Sequence, residues 1–125
     1  MEIQIRSVTI KDVTVLARLA RETFYDTFTG TCTPEEMQWF LDDNYNEEKL
    51  TAELLDEELF FFFAELDGEP VGYLQFKEDY KNFPEIKKWK ALELKRIYVL
   101  KAFHGKGIAQ KLMDLYIDFA REKKY

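Results

Sequence analysis

The fold is decided by the stretch LELKRIYVLKAFHGKGIA, which occupies residues 92–109. Its first part, from Leu92 to Leu100, is rich in branched apolar side chains and predicts a strand. Glycines follow at positions 105 and 107. Apolar residues then recur with the spacing of a packed helix, at Ile108, Leu112, Leu115, Tyr116 and Phe119. The stretch therefore predicts a strand, a glycine loop and a helix in succession.

The start of this helix is a predicted anion site. The first N–H groups of a helix have no partners within it, and the helix dipole places partial positive charge at the same end. Gly105 and Gly107 let the backbone approach a ligand closely, and His104 and Lys106 would add donors at the rim. Such a site suits a pyrophosphate, although glycines alone also occur at helix starts that bind no ligand.

Two common phosphate-binding motifs are excluded by the residues around the second glycine. A P-loop requires Gly-Lys-Ser/Thr, whereas Gly107 is followed by Ile108. A dinucleotide-binding loop requires a third glycine three residues later, and Gln110 occupies that place. These exclusions leave two readings of the loop, which are another class of anion site and a glycine-rich helix start that binds no ligand.

The start of the chain predicts a strand followed by a helix. Ile3 and Ile5 alternate with polar residues, which is the period of a strand. Thr9 and Asp12 have the spacing of a capping box, and the apolar residues after them recur at helical spacing. We expect this helix to end near Thr29.

Two shorter helices are predicted next. The run TPEE at residues 33–36 combines a capping threonine, a proline at the first position and a glutamate that closes the box. A second start lies at Asn46. Trp39 and Phe40 are expected to belong to the core, and Cys32 to pack as a small apolar residue.

A hairpin follows these helices. Residues 59–64 read LFFFFA and predict a strand that is covered on both faces. Asp67 and Gly68 are a hairpin turn signal, and residues 71–76 form the predicted return strand. Gly72 within that strand indicates a bulge or a close approach of two backbones.

Composition limits the classes of function that remain. With 125 residues, of which 46% are hydrophobic, the chain predicts a single domain over residues 1–125. Its net charge of −6 argues against nucleic-acid binding, and it fits either a merely soluble surface or attraction for a cationic small molecule.

One cysteine and one histidine cannot assemble a zinc site, so no metal is expected. No signal peptide or membrane-spanning run is apparent, so no membrane partner and a cytoplasmic location are expected.

The loop resembles the motif of the GCN5-related N-acetyltransferase (GNAT) superfamily, Gln/Arg-x-x-Gly-x-Gly/Ala. The matching residues run from His104 to Ala109, and His104 stands where Gln or Arg is usual. Imidazole can still donate a hydrogen bond, so we expect weaker anchoring rather than loss of the ligand. Residues 22–28, Val71-Gly72-Tyr73 and residues 92–98 also resemble the PaiA-type spermine/spermidine acetyltransferases.

The resemblance implies an α/β (α+β) GNAT fold with a mixed, mostly antiparallel central sheet flanked by helices. It also implies that the fold is truncated after the helix that follows the loop, because the family continues with a further strand and helix. A sheet that ended at the central strand would expose an apolar edge, so we expect self-association or low stability. Family members often dimerise, which makes a homodimer one expected state.

The resemblance also assigns acetyl-CoA as co-substrate and a primary amine, such as spermidine or spermine, as acceptor. The pantetheine arm would pair with the central strand, and the pyrophosphate with the loop; the residues implied are Ile97, Tyr98, Val99, His104, Gly105, Lys106, Gly107, Ile108 and Ala109. The charged segment 78–90 predicts a connecting loop or irregular helix, and a basic run within it, at Lys87, Lys88 and Lys90, is an option for the CoA 3′-phosphate.

Direct attack by an amine requires a base, for which Glu93 on the central strand is the candidate. The alternative is that Glu93 is a strand residue that either faces solvent or pairs with Lys95. Tyr25 and Asp26 are candidates for substrate binding, and the alternative is that the end of the first helix belongs to the core.

Two functions besides an N-acetyltransferase stay open at this point. One is a non-catalytic acetyl-CoA-binding regulatory module, and the other is an interaction domain that has lost the ligand.

Overall fold

A computed structural model of the chain describes residues 2–78 and 92–122. The predicted connection at 78–90 and the three lysines within it lie outside these residues, apart from Glu78. The elements follow in the order β1 (Ile3–Ser7), a 3-10 turn (Ile10–Asp12), α1 (Val13–Phe28), α2 (Pro34–Asn44), α3 (Glu47–Leu55), β2 (Leu59–Leu66), β3 (Glu69–Glu78), β4 (Leu92–Val99), a second 3-10 turn (Lys101–Phe103) and α4 (Ile108–Glu122).

The strands form one sheet in the order β1-β2-β3-β4, in which every neighbouring pair is antiparallel. Alternate side chains point to opposite faces, and both faces are covered. α1, α2 and α3 pack on the face that carries Phe61, Phe63 and Tyr73. α4 packs on the other face through Ile108 and Leu112. The expected sheet with flanking helices is therefore confirmed, and its described part is entirely antiparallel.

The predicted helix starts of α2 and α3 are confirmed by their caps. The Thr33 hydroxyl accepts a hydrogen bond from the Glu36 N–H at 3.1 Å, and Glu36 Oε1 accepts one from the Thr33 N–H at 3.0 Å. Asn46 Oδ1 accepts a hydrogen bond from the Lys49 N–H at 2.7 Å. α1 begins only after a 3-10 turn in which the Thr9 N–H donates to Asp12 Oδ2 at 2.8 Å. Each cap satisfies a backbone donor that would otherwise be unpaired.

Two expectations about single side chains are wrong. Trp39 is 67% exposed. α2 buries Met37 and Leu41, four residues apart, and a residue two positions after Met37 points away from that stripe. Cys32 is exposed as well, because it lies in the short connection between α1 and α2. None of the helices within the described residues is long and apolar enough to cross a membrane.

Glycine at position 72 is required by the closeness of β3 and β4. A Cβ atom there would lie 2.9 Å from the Tyr98 carbonyl oxygen and 3.1 Å from Val99 Cγ2. The β2–β3 register shifts beside it, since Ala64 pairs with Gly72 whereas Glu65 pairs with Pro70. Both alternatives that the sequence offered for Gly72, a bulge and a close approach, are therefore present.

We predict that Gly72→Ala lowers the free energy of unfolding by about 1–3 kcal/mol, because the added methyl group overpacks against the backbone of β4. Urea denaturation of the variant and the parent measures the difference. Glu69→Ala, at an exposed position of the same strand, is the control and should change stability by less than about 0.5 kcal/mol. Equal stability of Gly72→Ala and the parent would show that the two strands separate at little cost.

Candidate functional site

A cleft of about 390 Å³ opens where β4 ends and α4 begins. Its lining comes from the end of α1, the last residues of β4, the glycine loop and the first turn of α4. These residues are Thr27, Ile97, Tyr98, Val99, Phe103, His104, Gly105, Gly107, Ile108, Ala109 and Gln110. The volume is within the range of small-molecule sites. Within residues 2–78 and 92–122, no carboxylate lines this cleft, so it suits a negatively charged ligand.

The glycine loop gives the cleft an anion-binding end. Gly105 and Gly107 have backbone φ angles of 79° and 77°, which residues other than glycine rarely adopt. The first hydrogen bond within α4 runs from the Lys111 N–H to the Gly107 carbonyl at 3.1 Å. The N–H groups of Ile108, Ala109 and Gln110 therefore have no acceptor within the helix. They lie at the positive end of the helix dipole, as a pyrophosphate site requires.

The strand edge supplies a second row of free backbone groups. The Leu100 N–H donates to the Val71 carbonyl at 2.8 Å, and Tyr98 pairs with Tyr73 in the same ladder. Because backbone groups alternate in direction along an antiparallel strand, those of Ile97 and Val99 point away from β3. The backbone groups of Tyr98 are used within the sheet. Within the described residues, the N–H and carbonyl of Ile97 and the N–H of Val99 therefore remain for an extended ligand to pair with, whereas the Val99 carbonyl lies 2.7 Å from His104 Nε2.

His104 is held by the strand end. Its Nε2 lies 2.7 Å from the Val99 carbonyl oxygen, so Nε2–H is the donor of this hydrogen bond. The imidazole thereby occupies an outward-facing carbonyl of β4 instead of leaving that nitrogen free for a ligand. Lys106 is exposed beside it but does not line the cleft.

Glu93 lies near the opposite end of β4 from the cleft. It is exposed and pairs with Lys77 in the β3–β4 register. The Tyr116 hydroxyl donates to the Leu92 carbonyl at 3.2 Å, and burial, followed by the nearby Glu93 charge, raises the pKa of Tyr116. The structure therefore does not bring Glu93 to the lining of the cleft, and its catalytic role stays a prediction.

The two predicted substrate residues are also outside the cleft. Tyr25 is half exposed and lines a separate cavity of about 400 Å³ between α1 and α2. Asp26 is exposed and does not line the cleft. Thr27, the next residue of α1, is in the lining instead, together with Phe103 and Gln110. No sequence signal indicated that the end of α1 meets β4, whereas Phe103 and Gln110 directly flank the recognised loop.

The chain is similar to known acetyltransferases over most of its length. A profile of the acetyltransferase (GNAT) family matches residues 16–125. An uncharacterised N-acetyltransferase of Lactobacillus delbrueckii subsp. lactis is 37% identical over 121 residues, which are 97% of this chain and 67% of that protein. The spermidine N(1)-acetyltransferase of Thermoplasma acidophilum is 28% identical over 81 residues, which are 62% of this chain and 50% of that protein. The chain thus spans about half to two thirds of these relatives' length.

A solved structure agrees with the fold described above. The crystal structure of the PaiA N-acetyltransferase from Thermoplasma acidophilum, in complex with coenzyme A, superposes with a TM-score of 0.82. Its sequence identity to this chain is 25%, and the superposition covers 99% of this chain and 75% of that one.

We predict that His104→Ala lowers the free energy of unfolding by about 0.5–1.5 kcal/mol, because the Val99 carbonyl loses its side-chain donor. His104→Gln keeps an N–H donor and should recover part of the loss. Thermal and urea denaturation of the three proteins provide the measurement. If the parent and the alanine variant were equally stable, the contact of His104 with β4 would contribute nothing to the free energy of unfolding.

Proposed function

We propose, from the premise that this chain belongs to the acetyltransferase (GNAT) family, that it transfers the acetyl group of acetyl-CoA to a primary amine. The observation that carries the proposal is the cleft in which the outer edge of β4 at Ile97 meets the N–H groups at the start of α4 that have no acceptor within the helix. The extended pantetheine arm of acetyl-CoA ends in a pyrophosphate, so this ligand needs both a strand edge and a helix start. The strand edge would serve the arm, and the start of α4 would serve the anion.

The backbone of the chain performs the binding. The N–H groups at positions 105–110 would hold the pyrophosphate, and the edge of β4 would hold the pantetheine arm. The Ile97 N–H would donate to the thioester carbonyl oxygen and stabilise the charge that develops there. Bound acetyl-CoA supplies the acyl group and the thiolate that leaves. The amine nitrogen forms its bond to the carbonyl carbon as the carbon–sulfur bond breaks, without a covalent enzyme intermediate.

Glu93 is the proposed acceptor of the amine proton. Glu93 lies four positions before Ile97 on β4, which corresponds to roughly 13 Å along an extended strand. Direct contact with a nitrogen that attacks beside Ile97 is therefore excluded by distance, and ordered water would carry the proton. Exposure of Glu93 supports this role, because its carboxylate can be reached by solvent.

A polyamine such as spermidine or spermine is the proposed acceptor. The net charge of −6 attracts cations, and the similar protein from Thermoplasma acidophilum is a spermidine N(1)-acetyltransferase. A cytoplasmic location and a homodimer belong to the same proposal. The second candidate is a regulatory module that binds acetyl-CoA without catalysis, and it is favoured by the lack of a carboxylate in the described lining of the cleft.

Titration calorimetry with acetyl-CoA tests the binding site. We expect the parent to bind and Gly107→Glu to weaken binding about 100-fold, because the new carboxylate repels the pyrophosphate at short range. Gly68→Glu is a matched control, since it places the same charge at a positive φ of 83° in the hairpin turn. Equal losses in the two variants would contradict the location of the site.

Turnover with a panel of polyamines separates the two candidate functions. We predict that Glu93→Gln lowers kcat by about 100-fold at neutral pH and leaves the affinity for acetyl-CoA unchanged, because it removes the proton acceptor. Glu69→Gln, another exposed carboxylate of the sheet, is the control. Full activity of Glu93→Gln would remove Glu93 from the mechanism while the transferase assignment stands. Binding without transfer to any amine would favour the regulatory module.

A further inference from the structure

A buried polar cluster lies between α3 and the edge of the sheet, away from the lining of the cleft. It consists of Glu53 from α3, Tyr73 and Gln75 from β3, and Arg96 from β4. Arg96 Nη1 lies 3.6 Å from Glu53 Oε1, and Gln75 Nε2 lies 3.5 Å from Glu53 Oε2. The Arg96 guanidinium also lies over the ring of Tyr45, with Cζ 4.9 Å from the ring centroid.

Burial of these polar groups costs free energy. Tyr73 and Gln75 are fully buried, and the side chains of Glu53 and Arg96 are each only 22% exposed. Among the described residues, no hydrogen-bond partner is present for Glu53 Oε1, the Tyr73 hydroxyl, Gln75 Oε1 or Arg96 Nη1. Apolar replacement of a buried ion pair is often neutral or stabilising. Stability is therefore a weak reason for polar side chains at these positions.

The position of the cluster in the β3–β4 ladder suggests another reason. Gln75 pairs with Arg96, whereas Phe76 pairs with Leu94, so Lys95 is an extra residue in β4. Gln75 and Arg96 are thus the pair that directly borders this bulge. A bulge bends its strand and changes the direction of the groups that follow. The group that follows Arg96 is the Ile97 N–H, which faces the free edge.

We propose that Glu53, which Gln75 contacts, is a positioning residue that holds Arg96 and thereby fixes the bulge of β4, so that the Ile97 N–H points at the thioester carbonyl. This inference rests on the proposed function for the carbonyl it names. The cluster reaches the reaction through the backbone of β4, because neither Glu53 nor Gln75 lines the cleft. A donor displaced by about 1 Å costs roughly 100-fold in rate.

Kinetics of Glu53→Gln test the positioning role. This change keeps the shape of the side chain and removes the charge that holds Arg96. We expect kcat with acetyl-CoA and spermidine to fall roughly 10- to 100-fold, while KM for acetyl-CoA changes less than about twofold. Glu53→Asp keeps the charge and should restore part of kcat. Glu57→Gln, an exposed carboxylate shortly after α3, is the matched control and should retain the kcat of the parent.

Hydrogen exchange gives a second readout that does not depend on turnover. The N–H groups of Arg96 and Tyr98 point to β3, so their protection reports on the strand around the bulge. We expect Glu53→Gln to reduce this protection about 10-fold relative to amides of the β2–β3 ladder. Unchanged kcat together with unchanged exchange would overturn the inference and leave the transferase proposal intact.

Two further outcomes are distinguishable. A parent chain that transfers no acetyl group would contradict the proposed function, whereas the exchange rates would still decide whether Glu53 fixes the bulge. If Glu53→Gln does not fold, the double variant Glu53→Leu with Arg96→Met leaves no unpaired buried charge and should fold. It should show the same loss of kcat and of exchange protection, and a double variant with parental values would overturn the inference.

Discussion

Among the residues that the structure describes, β4 hydrogen-bonds to a neighbouring strand along one edge only, and the candidate site depends on this constraint. In the described residues the sheet ends at β4, so every second N–H and C=O of that strand has no partner in a neighbouring strand. α4 begins a few residues later with another set of unpaired N–H groups. A chain segment with unsatisfied backbone groups on two adjoining sides is a natural binding surface. In the proposed function it would recognise its ligand mainly through the backbone, so its chemistry would depend on strand geometry more than on the identity of side chains.

The parts of the structure that are decided by neighbours along the chain could be predicted from the sequence. The caps at Thr33 and Asn46, the turn at Asp67 and Gly68, and the glycine loop all depend on short-range hydrogen bonds or on permitted φ angles. Apolar spacing likewise predicted which residues of α4 meet the sheet. These signals were enough to establish the strand, loop and helix that form the cleft.

Contacts between segments that are distant in the chain could not be predicted from the sequence. Thr27 has no feature that predicts its contact with the cleft, because the position of α1 against β4 is set by packing of the whole helix layer. Glu53 and Arg96 look like ordinary surface charges in the sequence, and only the position of α3 over the sheet makes them an internal pair. The bulge at Lys95 is equally hidden, since it exists only as a difference in register between two strands.

The two-residue turn at Asp67 and Gly68 has a consequence for the order of folding. It joins β2 to β3 directly, so the hairpin forms by closing a very short loop. β1 pairs with β2 only across the three helices that separate them in the chain, and closing that long loop costs more chain entropy. Hairpins of this kind form within microseconds. The first strand of the chain is therefore expected to be a late addition to the sheet, joining its partner once the aromatic hairpin is already in place.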